Sequence, residues 1–90
     1  MMEDVTNYIQ SRYLMPISDL ISKYKLKIYS DGMAYYVIHN NDEIGYWFYH
    51  NNGIDFLTTV KYGLQKQTFN DWKAVAEFIE KQIKIYFERR

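Results

Sequence analysis

The feature that most constrains this fold is a change in hydrophobic period, from 3.6 residues to 2, at Tyr24. Alternation of apolar and polar residues is typical of a strand with one buried face. The alternating stretch is interrupted at Asp31-Gly32, a dipeptide that favours a two-residue type I′ turn because that turn needs positive φ at both central residues. In chain order, the pattern predicts strand 24–30, turn 31–32, strand 33–39, turn 40–43 and strand 44–50. Together these elements form an antiparallel meander.

The segment that follows, residues 54–62, fits either a strand or a helix. It comes after the turn sequence Asn51-Asn52-Gly53, and its β-branched run Thr58-Thr59-Val60 favours the strand. The predicted sheet therefore has three or four strands.

Helical periodicity flanks the sheet on both sides. Residues 3–14 and 16–23 carry apolar side chains at helical spacing, and Pro16 separates them because it ends one helix and suits the first turn of the next. The last segment carries one apolar stripe over four turns, formed by Trp72, Val75, Ala76, Ile79, Ile83, Tyr86 and Phe87. We therefore predict a single α+β domain over residues 1–90. It is an antiparallel 3–4-stranded β-meander with an N-terminal helix pair and a long C-terminal helix packed on one face, in the order α-α-β-β-β-(β)-α.

Composition narrows the classes of protein to which the chain can belong. Eleven basic and eleven acidic residues give zero net charge, so no overall charge draws the chain to nucleic acid or to anionic lipid. The chain has no cysteine, which excludes disulfides, thiolate-bound metals and thiol nucleophiles. Its apolar runs are too short to span a membrane, and its first residues are acidic rather than basic. We therefore expect a cytoplasmic protein, with no membrane partner.

The two predicted turns also indicate which side chains share a face of the sheet, since directly paired residues do. A two-residue loop at 31–32 pairs Ile28 with Tyr35, and a turn centred on Asn41-Asp42 pairs Tyr35 with Phe48. One face then has no charge and is assigned to the core: Leu26, Ile28, Tyr35, Val37, Ile44, Tyr46 and Phe48. The other face is assigned to solvent, because burying its unpaired lysines would carry a large desolvation cost. Its residues are Lys25, Lys27, Tyr29, Tyr36, Ile38, Trp47 and Tyr49.

Six residues of this solvent face are the candidate partner-binding residues: Lys25, Lys27, Tyr29, Tyr36, Trp47 and Tyr49. Exposed aromatic surface on this scale commonly marks an interaction site, and protein interfaces are enriched in Tyr and Trp. An ordinary tyrosine-rich surface is the alternative interpretation. If the assignment is right, Trp47→Ala removes the partner and leaves thermal stability nearly intact.

Little in the sequence indicates catalysis. The only two histidines, His39 and His50, are roughly 20 Å apart in the predicted register, too far to share a metal or to act as one acid–base pair. Each of them is expected to be a surface histidine at the end of a strand. The spacings of phosphate-binding loops, zinc proteases, nucleophile elbows and EF-hands do not occur. We therefore expect a protein that is not an enzyme and that uses neither a metal nor a cofactor.

The expected function is a non-catalytic binding module that acts through a protein partner, as inhibitors, immunity proteins and accessory proteins of phages and mobile elements do. Ile, Lys, Asn and Tyr make up 34 of the 90 residues, the bias that an AT-rich genome produces. The alternative is a module that binds single-stranded nucleic acid by stacking bases on the rings, with Lys25 and Lys27 at the phosphates. The aromatic face or an exposed sheet edge also allows a homodimer.

Overall fold

Six strands pair in the order in which they occur along the chain, and all neighbouring strands are antiparallel. The computed structural model describes residues 2–12, 15–51, 53–59 and 65–86. Its elements are β1 (Glu3–Asp4), α1 (Thr6–Arg12), α2 (Ile17–Tyr24), β2 (Lys27–Ser30), β3 (Tyr35–His39), β4 (Asp42–His50), β5 (Gly53–Thr58), β6 (Lys66–Phe69) and α3 (Trp72–Tyr86). The α+β class is confirmed. The described sheet has six strands rather than three or four, because β5 forms within the predicted fourth strand and the short strands β1 and β6 add one to each edge. The strand predicted over 54–62 ends at Thr58, and its residues 60–62 lie outside the described residues.

The first helix begins later than its periodicity predicts, because Glu3 and Asp4 pair with β2. Asp4 Oδ1 accepts hydrogen bonds from N and Oγ1 of Thr6, at 2.9 and 2.7 Å, and these bonds hold the pKa of Asp4 below its usual value. Thr6 Oγ1 also accepts the N–H of Ile28 at 2.8 Å, which ties the start of α1 to β2. The predicted end of this helix, residues 13–14, lies outside the described residues.

A single hydrophobic core lies between one face of the sheet and the three helices. The sheet contributes Ile28, Val37, Ile44, Trp47, Ile54 and Phe56. The helices contribute Ile9, Ile17, Leu20, Ile21, Val75, Ala76, Phe78, Ile79 and Ile83. Burial of each large apolar side chain contributes roughly 1.5–3 kcal/mol, so this layer is the main source of stability. Within the described ranges, no helix is both long and apolar enough to cross a membrane.

The connection between β2 and β3 is longer than predicted. Ser30 pairs with Tyr35, so the loop has four residues, 31–34, rather than two. Asp31 Oδ1 accepts the N–H groups of Met33 and Ala34, both at 2.9 Å, and thereby satisfies the backbone of this longer loop. The register shifts by two residues, which leaves every side chain of β2 and β3 on its predicted face.

The connection between β3 and β4 also differs from the prediction, and here the difference changes which side chains of β4 face the core. It turns at Asn40 and Asn41, both with positive φ (51° and 67°), rather than at Asn41-Asp42. This change alone shifts the pairing by two residues and preserves the faces. A β-bulge then inserts one extra residue, Ile44, because Glu43 pairs with Ile38 and Gly45 with Val37. From the bulge onward the side chains of β4 point to the faces opposite to those predicted.

Candidate binding surface

The sheet has an outer face, opposite the helices, that carries most of its tyrosines. By the observed pairing, its members are Lys27, Tyr29, Tyr36, Ile38, Glu43, Tyr46, Phe48, His50, Asp55, Leu57, Lys66 and Thr68. All the described helices pack on the other side, so no described helix covers this face. We refer to this set of residues as the outer face.

A row of rings crosses the centre of the outer face. Tyr29 pairs directly with Tyr36, Tyr36 with Tyr46, and Tyr46 with Leu57. The ring centroids of Tyr36 and Tyr46 are 5.2 Å apart, and those of Tyr46 and Phe48 are 6.5 Å apart. Each of these side chains is half-buried by its neighbours on the sheet. The rings form an aromatic surface across three strands, and Leu57 extends the row onto a fourth.

Two carboxylates lie close to the rings. Burial raises the pKa of Glu43, which pairs with Ile38 and has no ion-pair partner among the described residues. Beside the 31–34 loop, the Tyr36 hydroxyl donates to Asp31 Oδ2 at 3.1 Å. Burial and this hydrogen bond raise the pKa of Tyr36. The surface is therefore aromatic at its centre and carries isolated charges at its margin.

A third carboxylate, that of Asp55, is almost completely buried on the outer face at 1% exposure. Thr68 Oγ1 donates to Asp55 Oδ1 at 2.6 Å. The other oxygen, Oδ2, lies 3.4 Å from His50 Nδ1 and 3.7 Å from Lys66 Nζ. Lys66 on β6 lies within ion-pair distance of Oδ2, and the contacts with His50 and Thr68 link three strands on this side of the sheet.

The structure keeps three of the six predicted partner-binding residues together. Lys27, Tyr29 and Tyr36 lie on the outer face, with Lys27 paired to Ile38 and Tyr29 paired to Tyr36. Lys25 is exposed but lies just before β2, where its left-handed conformation (φ 55°) ends α2. It is therefore not on the outer face.

The placement of Trp47 and Tyr49 on the solvent face is wrong, because the bulge at Ile44 turns both towards the helices. Trp47 is fully buried at 0% exposure, and its ring stacks on Tyr35 at 5.3 Å and meets Trp72 edge-on at 5.3 Å. Tyr49 meets Tyr35 and Trp72 edge-on at the margin of this cluster and keeps 49% exposure.

The bulge also overturns two core assignments. Tyr46 and Phe48 lie on the outer face, where they take the positions expected for Trp47 and Tyr49. The other five predicted core residues lie on the helix side: Leu26, Ile28, Tyr35, Val37 and Ile44. The one signal in the sequence for the shifted turn is Asn40-Asn41, since asparagine tolerates positive φ at both positions.

A groove of about 430 Å³ opens at the end of the sheet beside the 31–34 loop. Its walls include Met33, Tyr36, Phe48 and Tyr49. Met33 is 83% exposed, the highest value among the large apolar side chains that are described. The groove extends the aromatic surface around the end of the sheet.

The two histidines are separated in the structure as well. His39 is buried at 8% exposure on the helix side, next to the ring of Tyr24 at 6.2 Å, so the expectation of a surface histidine is wrong for this residue. His50 lies at the other end of β4 and on the outer face. In the described part of the chain, no group of three or more acidic or histidine side chains is arranged to hold a metal ion.

Comparisons of this chain with protein-family models, with curated proteins and with solved structures find no match.

Proposed function

We propose that this protein is a non-catalytic protein-binding module and that the outer face is its binding surface. The observation that carries the proposal is the row of Tyr29, Tyr36, Tyr46 and Leu57, which crosses four strands with no described helix packed on it. Tyrosine supplies a large contact area with few rotatable bonds, and it is enriched at protein interfaces. The groove at Met33 and Tyr49 provides a recess next to this row for an apolar side chain of the partner.

The charges around the rings favour protein over single-stranded nucleic acid. A site for single strands combines stacking rings with a positively charged groove along the phosphates. Here Glu43 and Asp55 lie beside the rings and Asp31 lies at their edge, whereas the described lysines of the outer face are Lys27 and Lys66. Lys25, which was expected to contact phosphates, is not on the outer face. Neutral, aromatic surface with a charged margin is typical of protein interfaces.

We further propose that the module acts by occupying a surface of its partner, as inhibitors, immunity proteins and accessory proteins of phages and mobile elements do. Support for this class is compositional, because the abundance of Ile, Lys, Asn and Tyr is the bias of AT-rich genomes.

The test is affinity capture from the source cells with the tagged chain and two single variants. Tyr46→Thr removes the central ring while keeping a residue that favours strands. The matched control is Tyr8→Thr, which removes a tyrosine that is 54% exposed and lies on α1 rather than on the outer face. We expect one protein to be retained by the wild type and by Tyr8→Thr and to be lost with Tyr46→Thr. Equal retention by all three chains would contradict the proposal. So would salt-sensitive binding of single-stranded oligonucleotides that Lys27→Gln abolishes.

A further inference from the structure

The outer face has a charge pattern that is complementary to itself. Lys27 on β2 and Glu43 on β4 are both paired directly with Ile38 on β3, so they lie one strand to either side of it. Lys27 is exposed and Glu43 is half-buried, and neither forms an ion pair with a described residue. Lys27 interacts electrostatically with Asp4, but the two form no ion pair, and Asp4 Oδ1 accepts two hydrogen bonds from Thr6. The face thus carries one unpaired cation and one unpaired anion, placed symmetrically about β3.

The next row of the sheet repeats this symmetry with aromatic rings. Tyr29 on β2 and Tyr46 on β4 are both paired directly with Tyr36 on β3. A two-fold axis parallel to β3 and in front of the sheet would therefore place Lys27 opposite Glu43 of a second copy, and Tyr29 opposite its Tyr46. Ile38 and Tyr36 would each face their own counterparts on the axis. Two sheets packed in this way lie about 10 Å apart with their strands nearly aligned, the usual arrangement of a β-sandwich.

We propose that a second copy of this chain covers the outer face, in a two-fold symmetric dimer centred on β3 with two Lys27–Glu43 ion pairs. The proposal rests on the proposed function, because it names one occupant of the same surface. A symmetric dimer uses one patch twice, so the patch must complement itself. This patch does so in the placement of its charges and of its rings about β3. The dimer is the form in which the rings are covered when no other protein binds there, and a different partner has to displace it.

The test uses charge reversal at the two positions and sedimentation velocity over a range of concentrations. We expect the wild type to reach about 22 kDa, twice the chain mass of 11.0 kDa. Lys27→Glu places carboxylates opposite each other at both pairs, and Glu43→Lys places lysines opposite each other. Each single change should weaken the dimer at least about tenfold, because like charges facing each other across an interface are strongly unfavourable.

The decisive sample is an equimolar mixture of the two single variants. In a mixed dimer, both opposite-charge pairs are restored, so the mixture should associate while each variant alone stays monomeric. The double variant Lys27→Glu/Glu43→Lys should also recover the wild-type association. Lys73→Gln is the control, because Lys73 is an exposed lysine on α3, on the opposite side of the sheet from the outer face.

Two results would overturn this proposal. One is a wild type that stays monomeric up to about millimolar concentration, close to the upper limit of measurable weak association. The other is a dimer that Lys27→Glu and Glu43→Lys leave unchanged, which would place the contact elsewhere. Neither result affects the capture experiment with Tyr46→Thr, so failure of the dimer and failure of the proposed function are distinguished.

Discussion

At the scale of single residues, Gly45 is the position where β4 and β5 lie closest to overpacking. A Cβ atom added there would lie 2.3 Å from the carbonyl oxygen of Leu57 and 2.7 Å from the ring of Phe56. Both neighbours belong to β5, and Phe56 is fully buried, so neither can move away at low cost. Glycine at this position therefore allows the bulged strand and β5 to approach each other.

We predict that Gly45→Ala lowers the free energy of unfolding by at least about 3 kcal/mol, because overpacking against backbone and a buried ring costs at the upper end of the usual range. Urea denaturation measures it. Gly32→Ala is the control: that site has open space around it and only an unfavourable φ of +97°, so the loss should be about 1–2 kcal/mol. A smaller loss at residue 45 than at residue 32 would be evidence against the close approach of β4 and β5.

At the scale of elements, one carboxylate links the N-terminal helix pair to the C-terminal helix. Glu80 on α3 accepts hydrogen bonds from Lys23 Nζ at 3.0 Å and from the Tyr24 hydroxyl at 2.8 Å, both at the end of α2. These bonds, with that of Lys23 the larger cause, lower the pKa of Glu80 from 4.5. The side chain of Glu80 is 28% exposed, so solvent screens part of this interaction.

We predict that Glu80→Gln destabilises the protein by about 1 kcal/mol at neutral pH, mainly through the loss of charge on these two hydrogen bonds. A lowered folded-state pKa means that the stabilisation is complete above the unfolded-state pKa of 4.5 and is lost as the pH falls through the folded-state value. Urea denaturation at several pH values should therefore show the two proteins converging in acid. Glu77→Gln, an exposed neighbour on the same helix, serves as the control. A difference that persists unchanged in acid would exclude the carboxylate as its source.

At the scale of the whole molecule, the two faces of the sheet differ in how far their side chains are buried. The face towards the helices holds the fully buried side chains, Trp47 and Phe56 among them. The outer face holds half-buried rings, and no described helix packs on them. Adjacent residues of β4 therefore differ in their surroundings: the buried ones contribute to stability, and the outward ones are those that we propose bind a partner.

This division predicts opposite outcomes for two neighbouring rings. Trp47→Ala should cost about 3–5 kcal/mol, because it leaves a large cavity in the core. Tyr46→Thr should cost less than about 1.5 kcal/mol, because the ring is half-buried and threonine suits a strand. Thermal and urea unfolding of both variants measures the contrast. Similar losses for the two would mean that the outer face is packed as tightly as the core.

Local patterns in the sequence account for most of the secondary structure. The apolar stripe of α3 and the break at Pro16 indicate the helices, and alternation and turn residues indicate β2, β3 and β4. The edge strands escape detection because Glu3–Asp4 and Lys66–Phe69 are short and largely exposed, so they have no apolar alternation of their own. They form because neighbouring strands offer unpaired backbone groups.

Of the six predicted partner-binding residues, three could be placed on the correct face from the sequence and the other three could not. Lys27, Tyr29 and Tyr36 were placed correctly even though the 31–34 loop differs from the predicted turn, since a shift of two residues preserves the faces. In β4 a single extra residue was enough to exchange Tyr46 and Phe48 with Trp47 and Tyr49. Nothing in this stretch of sequence indicates which side chains face the core, because residues 46–49 are four consecutive aromatic residues and have no polar alternation to favour one face.

By itself, then, the sequence determined the α+β class, the antiparallel meander and the faces of β2 and β3. All of these depend on hydrophobic period and turn residues within a few positions of each other. Only the tertiary structure decided which rings of β4 enter the core. That choice depends on a bulge and on the contact of Gly45 with Phe56 and Leu57 on the next strand, and contacts between strands are not encoded in the local period.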